Sequence, residues 1–350
     1  MSILEQHQVG AQEPLSVALN LMGLAGHLRT LFVLDENKRV IGTLSDGDIR
    51  RGLLKGLSAS DPCEAFVYTA FRALKRGQID VRKLQEYRDK DIYIFPLLDE
   101  ENRLERIINL HELRSFLPLT AVIMAGGLGQ RLRPLTLQTP KPMLPVGGVP
   151  ILEINIQRLL RFGIRDIVIC VGYKKNQIMD YFGDGSAWDC RIQYIEETQP
   201  LGTMGALSYL PSDAEHDDLL LFNADLLSDI DLEAFYLRHQ QQSNRLTVAC
   251  IPYKVKVPYA IFEQEADRVT AFVEKPNYTY FANAGFYLLH RSDLNRIPQG
   301  ELYNATDFMD GLIQERQSVG SFPILGYWSD IGSLSDYEKA QTDIPNLYLY

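Results

Sequence analysis

An α/β fold with a mostly parallel sheet, preceded by a smaller α+β domain, is predicted from three features of the sequence. From Ala121 onward, apolar runs of strand length alternate with amphipathic runs of helical period. The first of these strands runs directly into a glycine cluster, Gly126, Gly127 and Gly129. Ahead of it, residues 1–117 hold two loosely similar segments of a different character.

Each of the two segments has an apolar strand, a polar Asp-Glu turn, a second apolar strand and a charged helix start. The first is TLFVLDENKRVIGTLSDGDIRRGLL, preceded by the helix-like LSVALNLMGLAGHL; the second is IYIFPLLDEENRLERIINLHELRSFL. A repeated β-β-α unit is the implied architecture. The junction falls at residues 116–119, where Pro118 precedes a new strand.

In the second part, AVIMA, DIVICVGY, RIQYIEE and DLLLFNAD read as strands, with helices at ILEINIQRLLRFG, KNQIMDYFG and DLEAFYLRHQQQ. YAIFEQEADRVTAFVEKP reads as a hairpin with a polar turn, and ANAGFYLLH as a further strand. In such sheets ligands bind beyond the carboxyl ends of the strands, so the chemistry is sought just after AVIMA, YIEE and LLLFN.

The chain has 350 residues, enough for two or three domains. With 46% hydrophobic and 23% charged residues it has the composition of a soluble globular protein. A net charge of -10 opposes nucleic acids and anionic membranes as partners, while a few local Lys and Arg residues can still bind a small anion. No apolar run approaches the ~20 residues of a membrane span. The opening MSILEQHQVGAQ lacks the basic and apolar regions of a signal peptide. Cys63, Cys170, Cys190 and Cys250 form no CxxC pair and read as small hydrophobes in a reducing compartment. A cytoplasmic location is expected.

The most informative stretch is AVIMAGGLGQRLRPLTLQTPKPMLPVGG. Glycines after a buried strand let backbone N–H groups approach phosphate oxygens. The dinucleotide pattern would need a glycine where Leu132 stands, and no lysine follows the glycines as a P-loop requires. Arg131 and Lys141 follow instead, the latter between Pro140 and Pro142, which restrict its backbone. A fork-shaped and a point cation beside a glycine loop suit a triphosphate.

GGLGQRLRPLTLQTPKPMLPV resembles the signature of the sugar nucleotidylyltransferase family. The similarity continues through PLGTMGAL, FNAD, VEKP, NAGFY and WSDIGSLSDY, in the family's order. The resemblance implies a Rossmann-like nucleotidyltransferase fold over residues 120–350 and a sugar 1-phosphate oxygen attacking the nucleotide α-phosphate, with Mg²⁺ as cofactor. It further implies that Gly126, Gly127 and Gly129 cradle the triphosphate. Arg131 would hold the leaving pyrophosphate, and Lys141 would stabilise charge at the α-phosphate. Asp225 and Asp330 would bind the metal, a role in which Mg²⁺ accepts few protein ligands. Lys275 would neutralise the sugar phosphate, with Glu274 and Asn283 on ring hydroxyls. Asn304, Thr306 and Asp307 occupy a loop of further sugar contacts or an ordinary helix N-cap.

The family places a base-facing residue five positions before the glycine of the PLGT segment, here Gly202, which selects Glu197. One carboxylate can accept guanine N1–H and the 2-amino group together, so GTP is expected; a solvent-facing strand end is the plainer reading. UTP- or dTTP-using enzymes are the alternative, as is a non-catalytic nucleotide-sugar sensor. A cytidylyltransferase acting on phosphocholine is disfavoured by the EKP and NAGFY segments.

The first N-terminal segment resembles a CBS motif closely and the second resembles one more weakly, which makes residues 1–117 a CBS pair for regulation or dimerisation. In the first, Ser45 and Asp48 match the pattern that binds an adenine nucleotide, with Asp48 on the ribose; the second has Asn109 and Glu112 there. This domain combination resembles the glucosamine-1-phosphate guanylyltransferases of legionaminic acid biosynthesis, with mannose- and heptose-phosphate enzymes as competitors. A homo-oligomer is expected. WSDIGSLSDYEKA is not followed by hexapeptide repeats, so no appended acyltransferase is expected.

Overall fold

The computed structural model describes residues 3–24, 29–75, 77–211 and 216–347. The chain divides into two compact units, residues 1–116 and 117–350.

The first unit is a structural repeat. After the short helix α1 (Ile3–Gln6), strand β1 (Gln8–Gly10) pairs in parallel with β2 (Thr30–Leu34), and β2 pairs antiparallel with β3 (Val40–Ser45). Helix α2 (Leu15–Leu24) joins β1 to β2; the last four residues of LSVALNLMGLAGHL lie outside the described residues. The second motif repeats this order with β4 (Leu74–Lys75), β5 (Ile94–Leu98) and β6 (Leu104–Asn109).

The two turns share a hydrogen bond and a backbone conformation. Asp35 Oδ1 accepts from the Arg39 N–H at 2.8 Å, and Asp99 Oδ1 accepts from the Arg103 N–H at 2.7 Å. Lys38 and Asn102 both take φ 62°, the left-handed conformation such turns require. Phe32, Val40 and Leu98 form a shared core between the motifs, and the Val40 N–H donates to the Asn102 carbonyl.

The repeat unit is therefore β-α-β-β, with a leading strand that the β-β-α expectation lacks. The trailing helix also exists only once. Helix α3 (Asp46–Leu54) follows β3, capped by Ser45, whereas β6 is followed by turns, and α4 (Val81–Arg88) precedes β5. Asn109 Oδ1 accepts from the His111 N–H, which closes a local turn, and Pro118 arrives before a helix could develop.

The second unit is built on a seven-stranded sheet in the order β11-β10-β7-β12-β17-β14-β18. Strands β7 (Thr120–Ala125), β10 (Asp166–Val171), β11 (Arg191–Glu196) and β12 (Asp218–Asn223) are parallel. Strand β17 (Asn277–His290) runs antiparallel to β12 and to β14 (Leu246–Lys256), and β14 is parallel to β18 (Val319–Pro323). One strand thus interrupts an otherwise parallel sheet.

Strand β10 is buried along its whole length, as expected for a parallel strand covered on both faces. On one face Val122, Val168 and Leu221 pack with Phe308 and Leu312 of α8 (Ala305–Gln314). Helix α5 (Ile151–Arg161) ends at Gly163, φ 72°, and shares a cluster with Ala340 of α9 (Leu334–Asp343). Helices α6 (Lys175–Phe182) and α7 (Leu232–Gln242) follow β10 and precede β14. Three small pairings complete the unit. These are β8 (Pro145–Val146) with β9 (Val149–Pro150), β13 (Leu226–Ser228) with β19 (Trp328–Asp330), and β15 (Ile261–Glu265) with β16 (Arg268–Val273).

Cys63, Cys170 and Cys250 are buried thiols and Cys190 is half-buried; all four are free. Burial pushes the Cys63 thiol up to about 11, which suppresses thiolate reactivity. No helix among the described residues is long and apolar enough to cross a membrane.

Candidate active site

Strand order reverses at β7, since β10 lies on one side of it and β12 on the other. A crevice opens at such a switch point beyond the carboxyl ends of the strands. Register decides what stands there. Ala125 is level with Val171, Val171 with Glu196, and Met124 with Asn223. The next residues along, Gly126, Gly172, Glu197 and then Asp225, form a row along that edge. They line a cleft of about 750 Å³ together with Gly127, Lys141, Gly202 and others.

The glycines of the loop have separate reasons to be glycine. A Cβ on Gly126 would stand 2.8 Å from Oε1 of Glu197, and one on Gly172 would stand 2.8 Å from the Gly126 carbonyl oxygen. Gly127 faces open space, so nothing in the protein forbids a side chain there. Gly129 has φ 60° and carries its carbonyl to the Thr136 hydroxyl at 2.8 Å.

Two carboxylates and two cations gather at the β12 end. Asn155 of α5 donates to the Leu226 carbonyl at 2.9 Å and so fixes the turn that carries Asp225. The β13–β19 pairing sets Leu226 opposite Asp330, and the Ile331 N–H donates to the Asp225 carbonyl at 3.1 Å. The two acids, far apart in sequence, become neighbours by this short ladder. Lys141 Nζ donates to Asp225 Oδ2 and lies 3.8 Å from Asp330 Oδ1.

Burial pushes the Asp330 carboxyl up, and the Asp225 charge adds to the rise; Lys141 and Arg131 oppose it. Arg131 is exposed, and its guanidinium lies against Gly332, where a Cβ would come within 3.2 Å. Asp225 Oδ1 is buried and accepts from no protein group. An orphaned carboxylate oxygen beside a second acid is a donor set that fits a hard divalent cation sharing phosphate oxygens. No cluster of three or more ligating side chains exists among the described residues.

Glu197 lies inside the cleft. Its Oε2 accepts from the Leu201 N–H at 3.4 Å, and burial pushes its carboxyl up. Gly202 has φ 74°, and a Cβ there would lie 2.6 Å from Asn304 Oδ1 and 2.7 Å from the Tyr303 carbonyl oxygen. The N–H groups of Met204 and Gly205 both donate to that Tyr303 carbonyl, and the Thr203 hydroxyl accepts from the Ala305 N–H at 2.7 Å. The segment before α8 is thereby stitched to the cleft wall. Asn304 itself caps α8 in a capping box with Asp307, so these two have a structural role; Thr306 is exposed.

The remaining expected residues stand elsewhere. Glu274 and Lys275 follow β16, are exposed, and approach each other at 4.0 Å without lining the cleft. The Asn283 amide is committed locally: its Nδ2 donates to the Tyr287 hydroxyl at 2.8 Å and its Oδ1 accepts from the Gly285 N–H at 2.9 Å. In the first unit, Ser45 and Asp48 form a reciprocal capping box, and Asp48 also pairs with Arg51. Both Asp48 oxygens therefore serve its own helix.

Sequence reasoning passed over Gly172 and Tyr173, which follow β10 and line the cleft beside Glu197. The signal was the VGY that ends the DIVICVGY strand, a glycine placed as Gly126 is.

Residues 120–346 match the sequence profile described as Nucleotidyl transferase, and residues 7–55 match that of the CBS domain. Mannose-1-phosphate guanylyltransferase of Mycobacterium tuberculosis is 36% identical over 231 residues, 64% of this chain and 64% of the relative. D-glycero-alpha-D-manno-heptose 1-phosphate guanylyltransferase of Aneurinibacillus thermoaerophilus is 31% identical over 228 residues, 65% of this chain and 98% of the relative. The chain spans 64% of the first relative's length, just under two thirds. Among solved structures, HddC from Yersinia pseudotuberculosis complexed with GMP-PN matches with a TM-score of 0.51 and 26% identity, covering 65% of this chain and 99% of that one. A putative glucose-1-phosphate thymidylyltransferase from Bacillus anthracis, 21% identical with a TM-score of 0.54 over 65% of this chain and 96% of that one, shares the fold. Across residues 120–346, which include every element that builds the cleft, the chain belongs to the nucleotidyl transferase family.

Proposed function

We propose that the protein joins a sugar 1-phosphate to a nucleoside triphosphate, GTP in preference, giving a nucleotide-sugar and pyrophosphate. The observation that carries this reading is the meeting of the glycine loop, Lys141, Asp225, Asp330 and Glu197 at one end of the sheet. A phosphate oxygen of the sugar 1-phosphate attacks the α-phosphorus, and the bond to the bridging oxygen of pyrophosphate breaks. Positioning and charge neutralisation do most of the work in such a transfer.

Backbone N–H groups of 126–129 hold the triphosphate, Arg131 takes charge on the departing pyrophosphate, and Lys141 stabilises the α-phosphate. Asp225 and Asp330 would hold Mg²⁺, which when bound neutralises phosphate charge that the two cations leave uncompensated. Glu197 reads the base, with Gly202 shaping the wall beside it. Lys275 is assigned the sugar phosphate and Glu274 and Asn283 the ring hydroxyls, a role that requires the exposed Glu274–Lys275 segment to reach the cleft and the Asn283 amide to leave its local bonds. Glucosamine, mannose and heptose 1-phosphates are the favoured acceptors, the last two being the substrates named for the relatives.

At the N-terminal unit, Ser45 and Asp48 bind an adenine nucleotide if the capping box yields its hydroxyl and carboxylate to the ribose. The match of residues 7–55 to a CBS domain supports that reading.

The test pairs each common nucleoside triphosphate with a panel of sugar 1-phosphates in the presence of Mg²⁺ and measures pyrophosphate. Release with GTP and one sugar class, abolished by Asp225→Asn, is expected. No release from any pair would overturn the assignment and leave the sensor reading.

A further inference from the structure

The glycine loop between β7 and Lys141 is long and has little core. From Gly127 to Thr139 the buried side chains are Leu132 and Thr136; the rest are exposed or half-buried. Leu132 enters an apolar cluster with Val146 and Ile331. Thr136, only 1% exposed, is held by hydrogen bonds. Its hydroxyl donates to the Gly129 carbonyl at 2.8 Å, and its own carbonyl accepts from the Tyr173 hydroxyl at 3.2 Å.

Tyr173 holds the loop at two points. Its N–H donates to the Gly126 carbonyl at 3.4 Å, where the loop leaves β7, and its hydroxyl reaches Thr136 further along. In the first turn of α6, Gln177 Nε2 adds a bond to the Gln138 carbonyl at 2.9 Å. The Tyr173 ring lines the cleft, and the Lys174 ammonium stands over it, 5.4 Å from its centroid. Gly129, to which Thr136 bonds, also abuts Lys141: a Cβ on the glycine would lie 3.2 Å from the Lys141 Cβ. Two hydrogen bonds in series thus connect the Tyr173 hydroxyl to the glycine beside the lysine.

We propose that Tyr173 is a positioning residue for the nucleotide, which through Thr136 holds the glycine loop in the shape that receives the triphosphate. The role rests on the proposed function and adds to it a residue that acts on the loop and not on the reacting atoms. A loop with so few buried side chains would otherwise be ordered only at binding, and that lost entropy lowers affinity. Backbone donors fixed beforehand need no such reorganisation. The hydroxyl is what the clamp requires; the ring without it would still pack beneath Lys174.

The test compares the full-length native protein with Tyr173→Phe, Thr136→Val and Thr136→Ser. Kinetics use GTP, Mg²⁺ and the sugar 1-phosphate that yields most pyrophosphate. The KM for GTP should rise about three- to tenfold in Tyr173→Phe and in Thr136→Val, the range of one lost neutral hydrogen bond. The kcat and the KM for the sugar phosphate should change less. Thr136→Ser keeps a hydroxyl and should retain the native KM for GTP. Tyr173→Phe/Thr136→Val should lie close to the single variants, because both release the same loop. Hydrogen exchange without any ligand should be faster at the amides of 127–132 in both single variants. A native protein that turns over no triphosphate would sink the proposed function, and exchange would then decide the clamp by itself. Native exchange with a native KM in Tyr173→Phe would overturn the proposal. A raised KM in Tyr173→Phe with Thr136→Val unchanged would also overturn it and assign the hydroxyl to the ligand directly.

Discussion

Gly126 and Glu197 occupy adjoining space at the carboxyl edge of the sheet, with only 2.8 Å between a Cβ on the glycine and Oε1 of the glutamate. The glycine is thus required by two separate demands. Under the proposed function a phosphate takes its N–H, and the glutamate needs the volume a side chain would take.

Gly126→Ala is expected to displace the Glu197 carboxylate, because a contact that close cannot be absorbed without movement. The KM for the nucleotide should rise about tenfold or more, equivalent to about 1.4 kcal/mol. Gly127→Ala should cost less in folding, since open space surrounds that position. Steady-state kinetics and thermal melts of the two variants check this. Equal effects on stability with no change in nucleotide KM would separate Gly126 from the site.

Asp225→Asn and Asp330→Asn are each expected to lower turnover by about 10²-fold or more while the fold survives. Asp225 lines the cleft and is partly buried, Asp330 is more exposed, and neither belongs to an apolar core. Asp225→Asn also removes the nearer of the two carboxylates that Lys141 Nζ meets and leaves Asp330, at 3.8 Å, as its remaining acid. Pyrophosphate release and melting temperature, measured on the same samples, provide the check. Near-native turnover in both variants would remove them from the chemistry.

The strands of the sheet and the position of the glycine loop were legible because periodicity and glycine spacing are local properties. AVIMA, DIVICV and RIQYIE lie where their apolar runs place them. What joins Asp225 to Asp330 is not local, for it depends on a three-residue pairing between segments about a hundred positions apart in the sequence. No spacing rule reports such a contact, and only the FNAD and WSDIG motifs carried it. The absent helix after β6 failed for a related reason. HELRSF has helical composition, yet Asn109 spends its side chain on the His111 N–H and Pro118 closes the room available. Ser45, at the matching position, caps a real helix because DGDIRRGLL extends for nine residues.

His239 ties stability to pH. It is buried between α7 and β14, its Nδ1 is 2.8 Å from the Thr247 hydroxyl, and burial pushes its imidazole down to about 4. An unfolded histidine takes up a proton near 6.5, so the unfolded chain binds the extra proton first. The stability this histidine supports is full above that value and is lost as pH falls from 6.5 toward the folded value. By about pH 5 the loss is on the order of 2 kcal/mol. Denaturant melts of the native protein and His239→Gln at about pH 7.5 and about pH 5 isolate the effect. The native protein should lose more stability between the two conditions; equal losses would show that another group governs acid sensitivity.

Under the proposed function, base choice rests on Glu197. As a carboxylate partly buried in the cleft it would accept two hydrogen bonds from guanine, and charge-assisted bonds are stronger than neutral ones. Facing uracil it meets at least one carbonyl oxygen, and the unpaired groups cost roughly 1–3 kcal/mol. A preference for GTP over UTP or dTTP of about tenfold to hundredfold follows. Burial raises the Glu197 carboxyl, so the preference should weaken on acidification sooner than an ordinary carboxylate would allow. Glu197→Gln should shrink the ratio of specificity constants, mainly through GTP, because the amide keeps one acceptor but turns an amine toward guanine's donors. The Leu201 N–H, which Glu197 Oε2 accepts, would still find an oxygen in the glutamine, so the loop should hold its shape. A native enzyme that uses UTP as readily as GTP, or a ratio that the substitution leaves unchanged, would take Glu197 out of base recognition.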